Sequence, residues 1–419
     1  MDERHSKQNI IRFPSSREER RRILRENEDR RVRIVSLLRS ACGWLLAACT
    51  LLFLLFNFRL FTPSAIRSAA EYAIAGLRQH EGDITTITYE NGSFADGVLF
   101  ESGLAYADSD SLYLAKPGSI TTMRCPLGYS APVVEAAGNY VLAYDRGGTQ
   151  ALLANSVAAT AELTLSSPII TGSIGQNGHF VLVTDEQGYR TAAAVYDTRG
   201  KEVFKYQSSE YYIVSAALSP DCSTIAVLGF RQQGISLDSH VLFYSVSTGE
   251  LESDVTLTDA LGMELCYAAN GAAAVLCDNG LYLAGRKDGS AEKLLSYSSS
   301  DLLTFTVQDD ALALALRSYT SSARSDLYVL RANGGLEQPL PLAEEPSAVA
   351  LSSTGVAALS ASGVSVYDAA HTPLWRNSEA VGARRILLIG DGTLYALYTK
   401  NTRLFTAHSE RSEELPDAE

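Results

Sequence analysis

The chain has 419 residues and a formal net charge of −13, with 46% hydrophobic and 20% charged residues. That is an ordinary globular composition, long enough for one large repeat domain with accessories. Residues 1–40 hold 12 Lys and Arg against 7 Asp and Glu, a net of +5, which leaves −18 on the remainder; a body that acidic repels phosphate backbones and excludes a nucleic-acid partner.

The basic tail, residues 1–39, opens a helix-forming run at Ser16, with Glu19 in capping-box spacing. Arg17, Arg20, Arg21, Arg22 and Arg25 are suited to anionic lipid headgroups. A solvated, lipid-facing tail is expected in preference to a docking helix for a cytosolic partner. The run ACGWLLAACTLLFLLFNF from Ala41 to Phe58 places a transmembrane helix at 40–61. At about 1.5 Å per residue it approaches the roughly 30 Å of a bilayer core, with Arg39 and Arg59 snorkelling at its ends. The positive charge before it sets the N-terminus in the cytoplasm and the body outside. A retained anchor fits better than a cleaved leader, because the charged region is long and no small-x-small site follows Phe61. Thr62 and Pro63 then cap a juxtamembrane helix at 62–81.

Residues 82–409 read as strands. Eight turn signals recur at roughly forty-residue spacing, the period of a four-stranded propeller blade. They are Ser102-Gly103, Gly138-Asn139, Asn177-Gly178, Pro220-Asp221, Asn270-Gly271, Asp309-Asp310, Thr354-Gly355 and Asp391-Gly392. A second series runs in phase: a strand carrying Tyr113, Tyr196, Tyr244, Tyr282 or Tyr328 ends in a Gly turn, and Tyr367 and Phe405 hold the matching place without that Gly. Unit two has Leu152 there instead.

The expectation is an all-β fold, a propeller of eight four-stranded blades near 96–126, 130–166, 168–207, 211–257, 261–298, 302–342, 346–378 and 381–409. The alternative is seven, with 96–126 irregular. The last unit supplies only three strands, so the orphan segment DITTITY (Asp83–Tyr89) is expected to close it and remove the open edges. Residues 410–419 are read as an unstructured tail.

The run AALSPDCSTIAVLGF (Ala216–Phe230), followed by VLFYSVSTGE (Val241–Glu250), resembles a blade of the WD-repeat and TolB-like propeller superfamily, with Cys222 where Gly is usual. VYDTRG at Val195–Gly200 and VYDAA at Val366–Ala370 resemble the third strand of that blade. The WD dipeptide and structural His of true WD repeats are missing. The layout of basic tail, span, short helix and degenerate propeller is similar to uncharacterised membrane-anchored β-propeller proteins of Clostridia-type bacteria, a domain-of-unknown-function family. The resemblance implies no particular activity.

No nucleophile elbow, P-loop, Cys-x-x-Cys pair or His pair at metal-ligand spacing occurs, so no cofactor and no metal is expected. The histidines are expected at the surface or in turns. Asp108-Ser109-Asp110-Ser111 lacks the later Gly and Glu of a calcium loop and reads as a hairpin turn. Cys266 and Cys277 flank one turn; buried thiols are favoured, with a disulfide left open.

Candidate binding residues come from connections sharing one face. Two links between second and third strands are long, FRQQGISLDSH (Phe230–His240) and RSYTSSARSD (Arg317–Asp326), and connections into the first strands carry tyrosines. Tyr and Arg dominate interface hot spots. The proposed rim is Tyr211, Tyr212, Arg231, Arg317, Tyr319 and Arg324, basic against an acidic body and suited to an acidic peptide or glycan. The expected role is a single-pass cell-membrane protein with an extracytoplasmic propeller, binding an envelope protein or glycan as adaptor or sensor. A hydrolase or lyase on cell-surface carbohydrate or peptide is the second reading, requiring carboxylates or histidines to converge in the channel. A structural envelope component is the third.

Overall fold

Eight antiparallel sheets follow one another along the chain, and in six of them four consecutive strands run in sequence order from the inside of a ring outward. The structure is a computed structural model describing Leu38 and residues 40–51, 86–89, 96–101, 103–116, 120–234, 236–268, 271–308, 310–319, 324–390, 392–409 and 412–414. The expected tail helix, the end of the apolar run and the helix at 62–81 lie outside them, as do Ser102, Asn270, Asp309 and Asp391 of the turn series.

Two compact units divide the chain, residues 1–62 and 63–419. In the first, Leu38 and residues 40–51 are helical, and Trp44, Leu45, Leu46 and Leu51 are exposed. Thr50 Oγ1 donates back to the Leu46 carbonyl at 2.8 Å. Among the described residues no helix is long and apolar enough to cross a membrane.

The second unit is the propeller. Blades 1 to 7 run over residues 96–126, 132–164, 169–208, 212–257, 262–296, 302–342 and 348–377. Blade 8 takes three strands from Arg385–Leu388, Leu394–Leu397 and Asn401–Phe405, and its outer strand, Thr86–Thr88, from the other end of the domain. The closing register is Thr86↔Arg403, Ile87↔Thr402 and Thr88↔Asn401. Eight blades with this closure is the arrangement expected from the turn spacing, and 96–126 is a regular blade.

Each of the eight turns joins the first and second strands of a blade. Gly178 has φ +84°, and a Cβ there would lie 2.6 Å from the Tyr140 ring. Gly355 is required differently: its Cβ would meet the Tyr367 carbonyl oxygen of the neighbouring strand at 2.3 Å. Cys222, standing where the resemblance has Gly, takes φ +56°, a left-handed conformation uncommon for residues with a Cβ.

The aromatic series also has a structural cause. Between third and fourth strands the register shifts at Tyr196, Tyr244, Tyr282 and Tyr367. Such a bulge bends the strand and re-aims its side chain.

Alternation in the second strands divides two buried faces rather than core from solvent. In blade 6, Ala311, Ala313 and Ala315 pack toward blade 7 with Leu351, Val356 and Ala358. Leu312, Leu314 and Leu316 pack toward blade 5 with Cys266, Leu276 and Leu281. A sheet covered on both faces needs no polar row. The same geometry settles the thiols. Cys266 pairs with Ala274 while Cys277 pairs with Gly262, so they belong to different clusters, and both are free and buried.

The terminal segment differs from expectation. Ser412–Glu414 forms a fifth strand on blade 7, with Asn377↔Ser412 and Trp375↔Glu414 in register. Asn377 Nδ2 donates to Ser412 Oγ at 2.9 Å. The outer edge of blade 7 offers unpaired backbone groups, and the polar tail satisfies them without needing apolar residues.

Candidate functional site

The starts of the first strands and the ends of the second strands lie on one face, around the mouth of the central channel. The expected rim residues lie on this face but form two groups. Tyr211, Tyr212 and Arg231 meet where blade 3 hands over to blade 4. Tyr211 is only 6% exposed. Its amide donates to Ser208 Oγ at 2.7 Å, its carbonyl accepts from Thr191 Oγ1 at 3.1 Å, and its ring lies 4.8 Å from that of His240. Burial pushes its hydroxyl up to about 12, with the Asp254 charge adding to the effect. It therefore supports the rim from below. Tyr212 is 45% exposed, stacked at 5.6 Å on Phe230 and covered at 4.6 Å by the Arg190 guanidinium, a cation–π arrangement that stiffens it.

Arg231 pairs with Glu210 and lies 5.5 Å above the Tyr211 ring. The segment expected as a long loop is instead an arm of sheet. Thr224–Gln233 and Ser236–Ser245 remain paired through Arg231↔Asp238, Gln232↔Leu237 and Gln233↔Ser236. The inner strand stops at Tyr212↔Phe230 and the outer at Ser239↔Leu257, so the last pairs project beyond the blade. Asp238 Oδ1 accepts from the Asp259 amide at 2.9 Å, tying the arm to the next connection.

The second group is on blade 6. Arg317 makes a two-pronged contact with Glu345, at 2.9 and 3.3 Å. Tyr319, 79% exposed, donates to Asp301 Oδ1 at 2.9 Å. Arg324 accepts the Ser318 amide on its carbonyl at 2.8 Å. The Arg317 hydrogen bond and charge, then the Arg324 charge, hold Glu345 below the usual carboxylate range. Arg231 and Arg317 thus each carry their own counter-ion, Glu210 and Glu345.

His240 departs from the expectation of surface histidines. It is 3% exposed, with Nδ1 at 2.8 Å from Asp254 Oδ1, and it supports Tyr211. Asp108 is a turn residue as expected, its Oδ1 accepting the Asp110 and Ser111 amides at 2.9 and 2.7 Å.

Sequence reasoning missed the charges in the channel. Among the described residues, the eight inner strands contain four charged side chains: Asp96, Glu135, Glu264 and Arg385. Arg146, just past the second strand of blade 2, is a fifth group. Asp96, Glu135, Arg146 and Arg385 line a cavity of about 530 Å³ with residues 131–134. Asp96 Oδ2 accepts the Val134 amide at 3.0 Å, and its Oδ1 takes Arg385 Nη1 at 2.5 Å. Glu264 follows a bulge in blade 5 and accepts Ser215 Oγ at 2.7 Å and the Leu265 amide at 3.1 Å. Similar bulges precede Thr171, Ser215 and Thr304 in blades 3, 4 and 6. The available signal was the charged residue in four first strands that are otherwise largely apolar, those of blades 1, 2, 5 and 8.

Burial, then the charges of Glu264 and Asp96, push Glu135 up to about 8 against the pull of Arg385 and Arg146. Glu264 is raised too, by burial, despite its hydrogen bonds and Arg146. The folded-state value of Glu135 exceeds the ordinary 4.5, so the folded chain binds the extra proton between those values. The contribution of Glu135 to stability is then fully present below pH 4.5 and is lost as pH rises from there through 8. Glu135→Gln is expected to leave stability unchanged at pH 4.5 and raise it by about 1–2 kcal/mol at pH 9, after allowance for screening by channel water. Denaturation at both pH values checks this, and a variant no more stable at pH 9 contradicts it.

Residues 83–402 match the model of a "Family of unknown function (DUF5711)". No curated protein matches the chain. Solved structures with similar folds include BamB from Moraxella catarrhalis, at TM-score 0.50 and 13% identity over 77% of this chain and 98% of that one. The computationally designed Ika8 protein matches at TM-score 0.54 and 12% identity, over 76% and 98%. The C-terminal WD40 domain of Sif2 matches at 0.50 and 13%, over 77% and 97%. At these identities the likeness is one of fold.

Proposed function

This chain belongs to the DUF5711 family of unknown function, and we propose that it is a membrane-anchored propeller whose connection-bearing face holds a protein partner outside the cytoplasm. The observation that carries the reading is the exposed aromatic platform of Tyr212, stacked on Phe230 and covered by Arg190, beside the projecting arm of blade 4. A rigid, exposed aromatic with its cation already in place loses little entropy on binding. The similarity to BamB and to a WD40 domain supports a broad docking face only as analogy of fold.

The anchor rests on the apolar run at 41–58 and the basic residues before it. Its test is alkaline carbonate extraction: the full chain is expected to stay with the membrane, and a chain lacking 40–61 to be released. Release of the full chain would end the anchor reading.

For the face, the informative variant is Tyr212→Ala with Tyr319→Ala. Capture of a partner from native membranes is expected to fall at least about tenfold, with the unfolding midpoint nearly unchanged. Equal capture would exclude this face. Tyr211→Ala is unsuitable for the purpose, since removing that buried ring is expected to cost about 3 kcal/mol of stability.

Carboxylates converge in the channel, which is the condition a hydrolase requires. Asp96 is held by Arg385 and a backbone amide, and Glu264 by Ser215 and another. Glu135 alone remains uncommitted, one short of the pair that acid–base hydrolysis uses, and this favours binding over hydrolysis.

A further inference from the structure

We propose that the Arg190 guanidinium, held on the Tyr212 ring, anchors the partner on this face by taking one carboxylate side chain of an extended partner segment, which lays a nearby apolar side chain on Leu237. This rests on the reading that the face holds a protein partner, and it adds what chemistry that partner brings.

Arg190 lies just before the third strand of blade 3 and is fixed at two points. Its amide donates to the Ser208 carbonyl at 2.8 Å and its Nε to the Ser209 carbonyl at 3.0 Å. Both acceptors belong to the connection that leads into Tyr212. The guanidinium then lies 4.6 Å from the centre of the Tyr212 ring, which is itself stacked on Phe230. With Nε in use and its plane against an aromatic, the group keeps its two Nη atoms. Side by side they match the two oxygens of a carboxylate.

Among the described residues no carboxylate takes that fork. Glu186, four residues before it, accepts Lys205 Nζ at 3.1 Å and Gln207 Nε2 at 3.3 Å. Glu210, next to Ser209, pairs with Arg231. Arg190 is thus an exposed cation on a body of net charge −18, and an anion complements it. The anion is a small one. A run of acidic residues is repelled by the body as a whole, and a phosphate dianion asks for more than one cation. A single carboxylate fits.

Register supplies the second contact. Tyr212 pairs with Phe230 and Phe230 with Ser239, and Gln232 pairs with Leu237 one row further out. Paired residues, and residues two apart on a strand, share a face. Tyr212, Phe230, Gln232 and Leu237 therefore stand on one side of the arm, and Arg231 and Asp238 on the other. Leu237 is 38% exposed and is the apolar residue of its row. Two residues along and two strands across place it about 12 Å from Tyr212, the reach of about three to four residues of extended chain.

The test is selection from a phage-displayed library of random dodecapeptides on the purified full chain, with counter-selection on the Tyr212→Ala variant. The peptides recovered are expected to share one Asp or Glu with a Leu, Ile, Val or Phe about three to four positions away. Made synthetically, they are expected to bind Arg190→Ala at least about tenfold more weakly than the native chain. Arg190→Lys, which keeps the charge but not the fork and serves as the second variant should the first not fold, is expected to weaken them at least about threefold. Replacing the acidic residue of the peptide by the matching amide is expected to cost the native chain the same factor and to cost Arg190→Ala nothing further, which marks the two groups as partners. Peptides that depend on Tyr212 but carry no acidic residue, undiminished binding to a folded Arg190→Ala, or independent losses in that cycle would overturn the proposal and leave the face as a binding surface. Recovery of no peptide that depends on Tyr212 would overturn both.

Discussion

Ile87→Asp is expected to cost about 4–5 kcal/mol of stability, the largest effect of any single substitution in the closing strand. Ile87 lies on the short strand that completes blade 8 and is buried with Leu104, Tyr106 and Tyr113 of blade 1 and Tyr395 and Leu397 of blade 8. Beside it the Tyr89 ring packs 4.9 Å from Tyr106, and its amide donates to the Lys400 carbonyl at 3.2 Å. A carboxylate at position 87 has no cation in that cluster, so it unseats the strand. The loss reaches beyond three residues of pairing, because this strand joins the two ends of the ring. Amides of blades 1 and 8 are expected to lose hydrogen-exchange protection first and those of blades 4 and 5 last. Ile87→Val, which removes one methylene, is expected to cost only about 1 kcal/mol. Denaturation of the three proteins checks the series; a loss below about 1 kcal/mol for Ile87→Asp would mean that the ring holds without its closing strand.

Trp375→Ala is expected to cost about 3–5 kcal/mol. Trp375 is 2% exposed and packs from the outer strand of blade 7 against Ile386, Leu388, Leu394 and Phe405 of blade 8. Its Nε1 donates to the Gly392 carbonyl at 3.2 Å, so the ring both fills the space between two blades and bonds the turn of the second. Trp375→Phe keeps much of the apolar contact but leaves that carbonyl unpaired, for an expected loss of about 1–2 kcal/mol. The chain's other tryptophan is Trp44, so in a Trp44→Phe background the emission of Trp375 reports this interface directly. Its red shift on denaturation is expected to coincide with global unfolding, since Trp375 sits next to the closed blade. A shift well before global unfolding would show that blades 7 and 8 part independently.

The blade plan was legible in the sequence because its signals are local. A turn such as Asn177-Gly178 needs a residue at home at positive φ, and an apolar run on either side needs only its neighbours to pair. Even the closure by the strand Thr86–Thr88 followed from counting strands. Signals of composition were less secure. The alternation of Ala and Leu over residues 311–316 marks a strand, but its burial on both faces follows only from blades stacking on both sides. FRQQGISLDSH reads as a loop, but apart from Gly234 at φ +67° nothing in it prevents strands, and it pairs.

Charged and aromatic side chains resisted prediction for a different reason. Arg231 and Arg317 looked like free basic groups until Glu210 and Glu345 were found beside them. Tyr211 looked like its neighbour Tyr212, but successive residues of an extended chain face opposite ways, and one is buried where the other is exposed.

By itself, the sequence pointed to a propeller of eight blades with seven left open, to approximate blade limits and to the exchange of a strand between the ends, since each depends on turn chemistry and apolar runs within a few residues. The tertiary structure alone decided the charge of the face and the contents of the channel. Asp96 meets Arg385 across 289 positions, and Glu135 feels Glu264 from another blade. Those energies depend on distance and burial after the ring has closed, and no spacing along the chain encodes them.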